Sequence, residues 1–172
     1  MAKRRSANPD RYANRYRGRL SLAAAAATAV FESFNTGLSM TGQAPHKWDI
    51  LWFSIMPNTV AAAPGHATDS ALLFQLMYGT QVAMLNGDDM QLVCGGVVDT
   101  DILTSGAGPF LWPAYAGVRS PIPCLASVLT VGLQAITDAA YNSTEWVYEI
   151  GYVTRPAAVN EAAEFFASVG GL

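Results

Sequence analysis

The sequence predicts a mainly β chain folded as an antiparallel β-sandwich, on three observations. Beyond Gly42 the chain breaks into short apolar runs separated by Gly, Pro, Asn and Asp. One of these, Thr144–Val153, alternates strictly, with Trp146, Tyr148, Ile150 and Tyr152 on one side and Glu145, Val147, Glu149 and Gly151 on the other. The connections between runs are long and irregular, with no strand–helix–strand rhythm to suggest a parallel sheet.

The 172 residues suit one domain, or one domain plus an arm. Hydrophobic residues make up 51% and charged residues 13%, where a typical soluble domain carries about 25% charged residues. A large contact surface with other subunits, or a membrane, would absorb that apolar excess. The charge is unevenly placed. Seven of the ten basic residues lie in the first nineteen positions: Lys3, Arg4, Arg5, Arg11, Arg15, Arg17 and Arg19. With Asp10 as the one acid there, this arm carries +6; three bases against twelve acids leave −9 on the rest. Such asymmetry marks a segment that meets nucleic acid or a membrane surface.

Taken from the N-terminus, the first element predicted is a helix. Asn8 before Pro9 forms an N-cap and first-turn pair. Leu20, Ala23, Ala27, Phe31 and Phe34 recur at three- and four-residue steps, and Asn35 and Gly37 end the pattern. Residues 1–42 are therefore expected to be a basic arm with an Ala-rich helix, ahead of a shell-like domain over 43–172. Tyr12 and Tyr16, interleaved with Arg11, Arg15 and Arg17, suit phosphate contact with base stacking; packing on a neighbouring subunit is the other use for such tyrosines. A secretory signal competes for the same stretch, since Leu20–Phe31 follows a positive region and Ala27-Thr28-Ala29 has the form of a cleavage site. Against it, the positive region is long and interrupted by Asn, Asp and Tyr, and the apolar stretch is mostly alanine. It is also too short to span a bilayer, which takes about twenty apolar residues.

In the body, Lys47–Met56 is a strand stopped by Pro57-Asn58, and Ala71–Tyr78 is another, with a helix as its alternative. Gln81–Leu85, Asn86-Gly87 and Asp88–Val98 read as a hairpin, because Asn-Gly suits a type I′ turn; Met84 would then face Asp89. Asp101–Pro123 is a loop bearing Trp112 and Tyr115 as exposed aromatics. Ser127–Ile136 is a strand, followed by the alternating Thr144–Val153. A short closing helix follows Arg155-Pro156, with Val159, Ala162, Ala163, Phe166 and Val169 on one face and Gly170-Gly171 as its stop. Five or more strands so connected make a sandwich of the jelly-roll kind.

The chemistry-bearing residues exclude most enzyme classes. His46 and His66, the only histidines, sit in Gly/Pro-rich lead-ins, and no phosphate-binding loop, dinucleotide fingerprint, nucleophile elbow or H-E-x-x-H pair occurs. Cys94 and Cys124 belong to no metal-binding pair and read as small buried hydrophobes; a disulfide between them cannot be inferred. Asp88, Asp89, Asp99 and Asp101 are the only carboxylate clusters. They could supply oxygens to a Ca²⁺ at a subunit interface, but flanking a turn and opening a loop account for them. Asn142-Ser-Thr144 matters as a glycosylation site only in a secreted chain. No cofactor is expected.

The arm AKRRSANPDRYANRYRGR, the strand runs and the terminal TEWVYEIGYVTRP together resemble the single jelly-roll coat proteins of small icosahedral viruses. The likeness is architectural and covers the whole chain loosely. It implies a virion structural protein assembling in many copies, with Lys3, Arg4, Arg5, Arg11, Arg15, Arg17, Arg19, Tyr12 and Tyr16 facing inward onto the genome or neighbouring subunits. Two features depart from the pattern: arginine is less dense than in plant-virus-like arms, and the Ala-rich helix is unusual. Small jelly-roll proteins of viruses with an inner lipid layer are the second comparison, with the arm on membrane headgroups and a second coat protein in the lattice. A secreted or filament-forming β-sandwich lacking residues 1–29, and a small nucleic-acid-binding protein that forms no shell, are the alternatives.

Overall fold

The structure, a computed structural model, describes residues 13–22, 29–38, 45–58, 71–99, 114–116, 118, 120–135 and 144–169. They form β1 (Asn14–Leu22), β2 (Val30–Asn35), β3 (His46–Pro57), β4 (Ala71–Tyr78), β5 (Leu92–Asp99), β6 (Ala114–Tyr115), β7 (Ile122–Cys124), β8 (Val128–Ala135), β9 (Thr144–Pro156) and α1 (Val159–Ser168). One sheet has the order β1-β9-β3-β6, with β7 also on β3; the other runs β2-β8-β4-β5. Every pairing is antiparallel. The described residues are mainly β, with two antiparallel sheets and one short C-terminal helix, as the sequence predicts.

The inward side chains of both sheets share one core. β9 contributes Trp146, Tyr148 and Ile150, β3 contributes Trp48, Ile50, Phe53 and Ile55, and facing them are Leu72, Phe74, Leu76, Leu129, Val131 and Leu133 of β4 and β8. β3 shows why its run KWDILWFSIM lacks clean alternation. A bulge between Ile50 and Trp52 shifts the register against β9, so even positions face inward before it and odd positions after it. The alternation is intact on either side of the extra residue.

The predicted N-terminal helix is corrected. Asn14–Leu22 and Val30–Asn35 are strands, one in each sheet, and Leu20, Leu22, Phe34 and Leu38 belong to the common core. The three- and four-residue steps from Leu20 through Ala23 and Ala27 to Phe31 and Phe34 are real in sequence, but Leu20 and the two phenylalanines belong to separate strands. The Ala23–Thr28 run lies outside the described residues. Tertiary pairing wins here: nine residues of β1 pair with β9, and the even positions Leu20 and Leu22 bury on one side as a strand requires.

The predicted hairpin is also redrawn. A turn forms one residue later than predicted, with Gly87 and Asp88 at its centre: Asp89 N donates to Asn86 O at 3.1 Å and Asn86 N to Asp89 Oδ2 at 2.7 Å, and Gly87 lacks the positive φ of a type I′ turn. It tips an excursion between β4 and β5, which pair with each other; Gln81–Leu85 is not a strand. The Gln75 side chain, pointing outward from β4, holds that excursion through Gln75 Nε2 to Leu85 O at 2.7 Å and Leu85 N to Gln75 Oε1 at 2.8 Å. Ala71–Tyr78 itself is a strand, so its helical alternative is set aside.

α1 buries part of the predicted stripe: Val169 is buried and Ala162 and Phe166 are half-buried, but Val159 is 80% exposed and Ala163 is exposed, and Phe165, outside that stripe, meets Tyr78 edge-on at 4.9 Å. Lys47 Nζ anchors the helix to β3 by donating to Glu161 Oε1 at 2.7 Å, and Glu161 Oε2 accepts from Ala158 N at 2.9 Å. The Lys47 hydrogen bond, with help from Ala158 N–H, holds the Glu161 carboxyl below its ordinary value. A carboxylate lowered in the folded state stabilises above its unfolded value and loses that contribution as pH falls through the folded one. Helix docking is therefore expected to loosen below about pH 4. Amide exchange of residues 159–168 should quicken there, and Glu161→Gln should abolish the pH step.

Cys94 and Cys124 are free thiols, with Cys124 buried and Cys94 half-buried. Burial pushes each up to about 12. Because the thiolate is the nucleophile, neither should react with a thiol reagent at pH 8 until the chain is denatured.

Candidate functional site

β1 is an edge strand whose sequence alternates arginine with inward residues: Arg15, Arg17 and Arg19 point out, and Tyr16, Gly18, Leu20 and Leu22 point in. Two residues along a strand span about 6.7 Å, so the three guanidiniums form an evenly spaced row. Their side chains are 61%, 60% and 69% exposed. Across the register Arg17 lies opposite Glu149 and Arg15 opposite Gly151. Glu149, its side chain only 9% exposed, accepts from Arg17 Nε at 2.6 Å, and Arg15 Nη1 lies 3.6 Å away. Arg19 approaches Glu145 at 3.9 Å.

Aromatic residues flank this row on the same face. Gly151 lacks the Cβ that would strike the Trp52 ring, so Trp52 lies flat across β9. Arg15 Cζ stands 6.0 Å from the Trp52 centroid, at the outer limit for a cation–π contact. Tyr115, 60% exposed, sits opposite Ser54 on β6. At the far end of the face Arg155 Nε meets Asp49 Oδ2 at 3.0 Å. Three guanidiniums over two carboxylates leave one positive charge in excess, with aromatic surface beside it. That combination can hold a phosphate chain and stack bases or other flat groups.

Beneath the row, inside the sandwich, Tyr16 stacks on Phe34 at 4.0 Å and 15°, and both lie 6.3 Å from Tyr148. This stack ties β1 and β9 of one sheet to β2 of the other. Burial first, then the Glu32 charge, raises Tyr16 and Tyr148 above the ordinary phenol value. Glu32 Oε2 and the Tyr148 hydroxyl are close enough to interact, yet sealed from solvent without closing a hydrogen bond of good geometry.

No family model, curated protein or solved structure matches the chain. Its own geometry therefore carries the functional reading.

Of the residues predicted to bind, Arg15, Arg17 and Arg19 are brought together on one exposed strand edge. Tyr16 is not with them, because strand geometry turns it inward onto Phe34. Lys3, Arg4, Arg5, Arg11 and Tyr12 lie outside the described residues, as do Asp101, His66, Trp112 and Asn142. His46 is exposed at the start of β3. Asp88 lies within the turn and Asp89 closes it, and Asp99 ends β5. Among the described residues no three His, Cys, Asp or Glu side chains gather as a metal site. None of the described helices is long and apolar enough to cross a membrane. Sequence reasoning missed Trp52, Glu145 and Glu149 as neighbours of the arginines. The alternation Arg15-x-Arg17-x-Arg19 was the available signal for the row itself.

Proposed function

We propose that this chain is a coat protein: a single jelly roll that assembles in many copies into a shell and turns its basic segment toward enclosed nucleic acid. The strand order carries the reading. With β6 and β7 counted as one position, the eight positions in chain order run 1-8-3-6 in one sheet and 2-7-4-5 in the other. Counted so, the order fits two nested Greek keys, an arrangement viral capsid domains share with lectins and cupins, and this supports the reading. Because a fold hosts many functions, the charge supplies the second support. The residues before β1 add Lys3, Arg4, Arg5 and Arg11 to the row of Arg15, Arg17 and Arg19. A cleaved leader is disfavoured, since cutting after Ala29 would strip β9 of its partner β1 and remove Leu20 and Leu22 from the core.

Electron microscopy and sedimentation of the full chain test this directly. Closed particles of uniform size, carrying nucleic acid, are the expected result. A monodisperse monomer of 18.3 kDa at high concentration, with or without added nucleic acid, would sink the proposal. Bound to a single strand through three arginines, the β1 row should contribute a slope of about −2 to log affinity against log salt. Replacing Arg15, Arg17 and Arg19 by Gln should remove that part of the slope.

A further inference from the structure

We infer that the free edge of β5 is a docking strand for a second copy of this chain, joined antiparallel about a two-fold axis. The inference rests on the self-assembly reading and names one contact within it.

Among the described residues the two sheets leave four edges, and unpaired N–H and C=O groups along an edge are a template for another strand. Three of the four carry obstacles. β1 presents Arg15, Arg17 and Arg19. β6 and β7 are two and three residues long, with Pro121 before β7 and Pro123 within it. β2 has six residues, includes Glu32, Ser33 and Asn35, and ends before Gly37 at φ 73°. β5 is different. Its eight residues, LVCGGVVD, contain no proline, and their one charge is Asp99 at the end. Among the described residues, β5 pairs with β4 alone.

Exposed apolar side chains gather at the same place. Of the five large hydrophobics most exposed among the described residues, Val97 lies on β5 at 59%, and Met90 at 65% and Val82 at 86% lie in the excursion leading into it. Natural edge strands are protected by charge, proline or brevity; this one has no proline, is eight residues long and carries its single charge only at its last residue.

The strand's own sequence points to a second copy as the occupant. Paired antiparallel with itself about Gly95, β5 sets Val97 across from Val93 of the other copy, so the facing positions are apolar. The two Asp99 residues then fall at opposite ends of a ribbon about 25 Å long, whereas parallel pairing would set them in register side by side. A polyanion finds no attraction here, because the one charge is acidic. The product is a continuous eight-stranded sheet with the same patch on both partners, an isologous contact.

The test uses the full chain and its Val97→Lys variant, which places a charge at an exposed position. Sedimentation velocity across concentrations should show a dimer in the parent that the variant weakens on the order of tenfold, with unchanged circular dichroism. In the parent, amides of Leu92–Asp99 should gain exchange protection as concentration rises, while those of Asn14–Leu22 do not. If the variant assembles as the parent does and β5 exchange ignores concentration, the β5 contact is overturned and self-assembly stands. If β5 dimers form but no closed particles appear, the contact stands and the shell reading falls. A parent that stays monomeric overturns both, and β5 protection that follows added nucleic acid rather than concentration overturns the contact.

Discussion

Gly18→Val is expected to cost about 3 kcal/mol of folding stability, a drop of roughly 6–12 °C in Tm for a chain of this size. Intrinsic preference argues the other way, since glycine weakens a strand and valine favours one. Packing decides the sign. The place where a Cβ on Gly18 would stand is taken by the Tyr148 hydroxyl and ring, and Tyr148 is 1% exposed, so it has no free space to move into. Displacing it also breaks the stack with Tyr16 and Phe34 that joins the two sheets. A denaturant melt reads the loss. Gly18→Ala combined with Tyr148→Leu should recover much of it, and Gly87→Ala, where nothing lies within 4 Å of the new Cβ, should stay within about 0.5 kcal/mol of the parent. A Gly18→Val chain with the parent's midpoint would mean that Tyr148 does not lie over β1.

The same glycine marks the limit of what local pattern reveals. β9 was legible because nothing interrupts its alternation, and the two-sheet architecture followed from it and from the irregular connections. β1 alternates just as well, but its outward positions are arginines and its inward ones include Tyr16 and Gly18. An apolar count therefore sees only Leu20 and Leu22, and the alanines that follow complete a false helical stripe. What makes the segment a strand is β9, more than a hundred residues away. Likewise Asn86-Gly87 announced a turn but placed it one residue early, and which strands it separates depends on β4 reaching across to β5 and on Gln75 pinning Leu85. In the candidate site, charge composition identified the arginines. Their partners Glu149, Glu145 and Trp52 are set by cross-strand register and a bulge, which only the folded chain defines.

Glu149→Gln is the substitution expected to separate the two uses of the arginine row. In the parent its carboxylate, 9% exposed, holds Arg17 and Arg15, whose own side chains are 61% and 60% exposed for Arg15 and Arg17 respectively. Removing the carboxylate's charge leaves two arginines that can turn into water, so the stability loss should stay near 1 kcal/mol. Removing the arginines instead strands a mostly buried carboxylate. Arg15→Ala with Arg17→Ala should therefore destabilise by about 2–3 kcal/mol. Affinity for single-stranded nucleic acid should move the opposite way in the two variants. Glu149→Gln frees guanidiniums and raises the local charge by one, so binding tightens at low salt; the arginine double variant binds more weakly and with a shallower salt dependence. If the row serves only to neutralise Glu149, both variants lose stability and neither changes binding. Titration of a short oligonucleotide against each folded variant at two salt concentrations distinguishes these outcomes, and an unchanged affinity in both would remove β1 from the nucleic-acid reading.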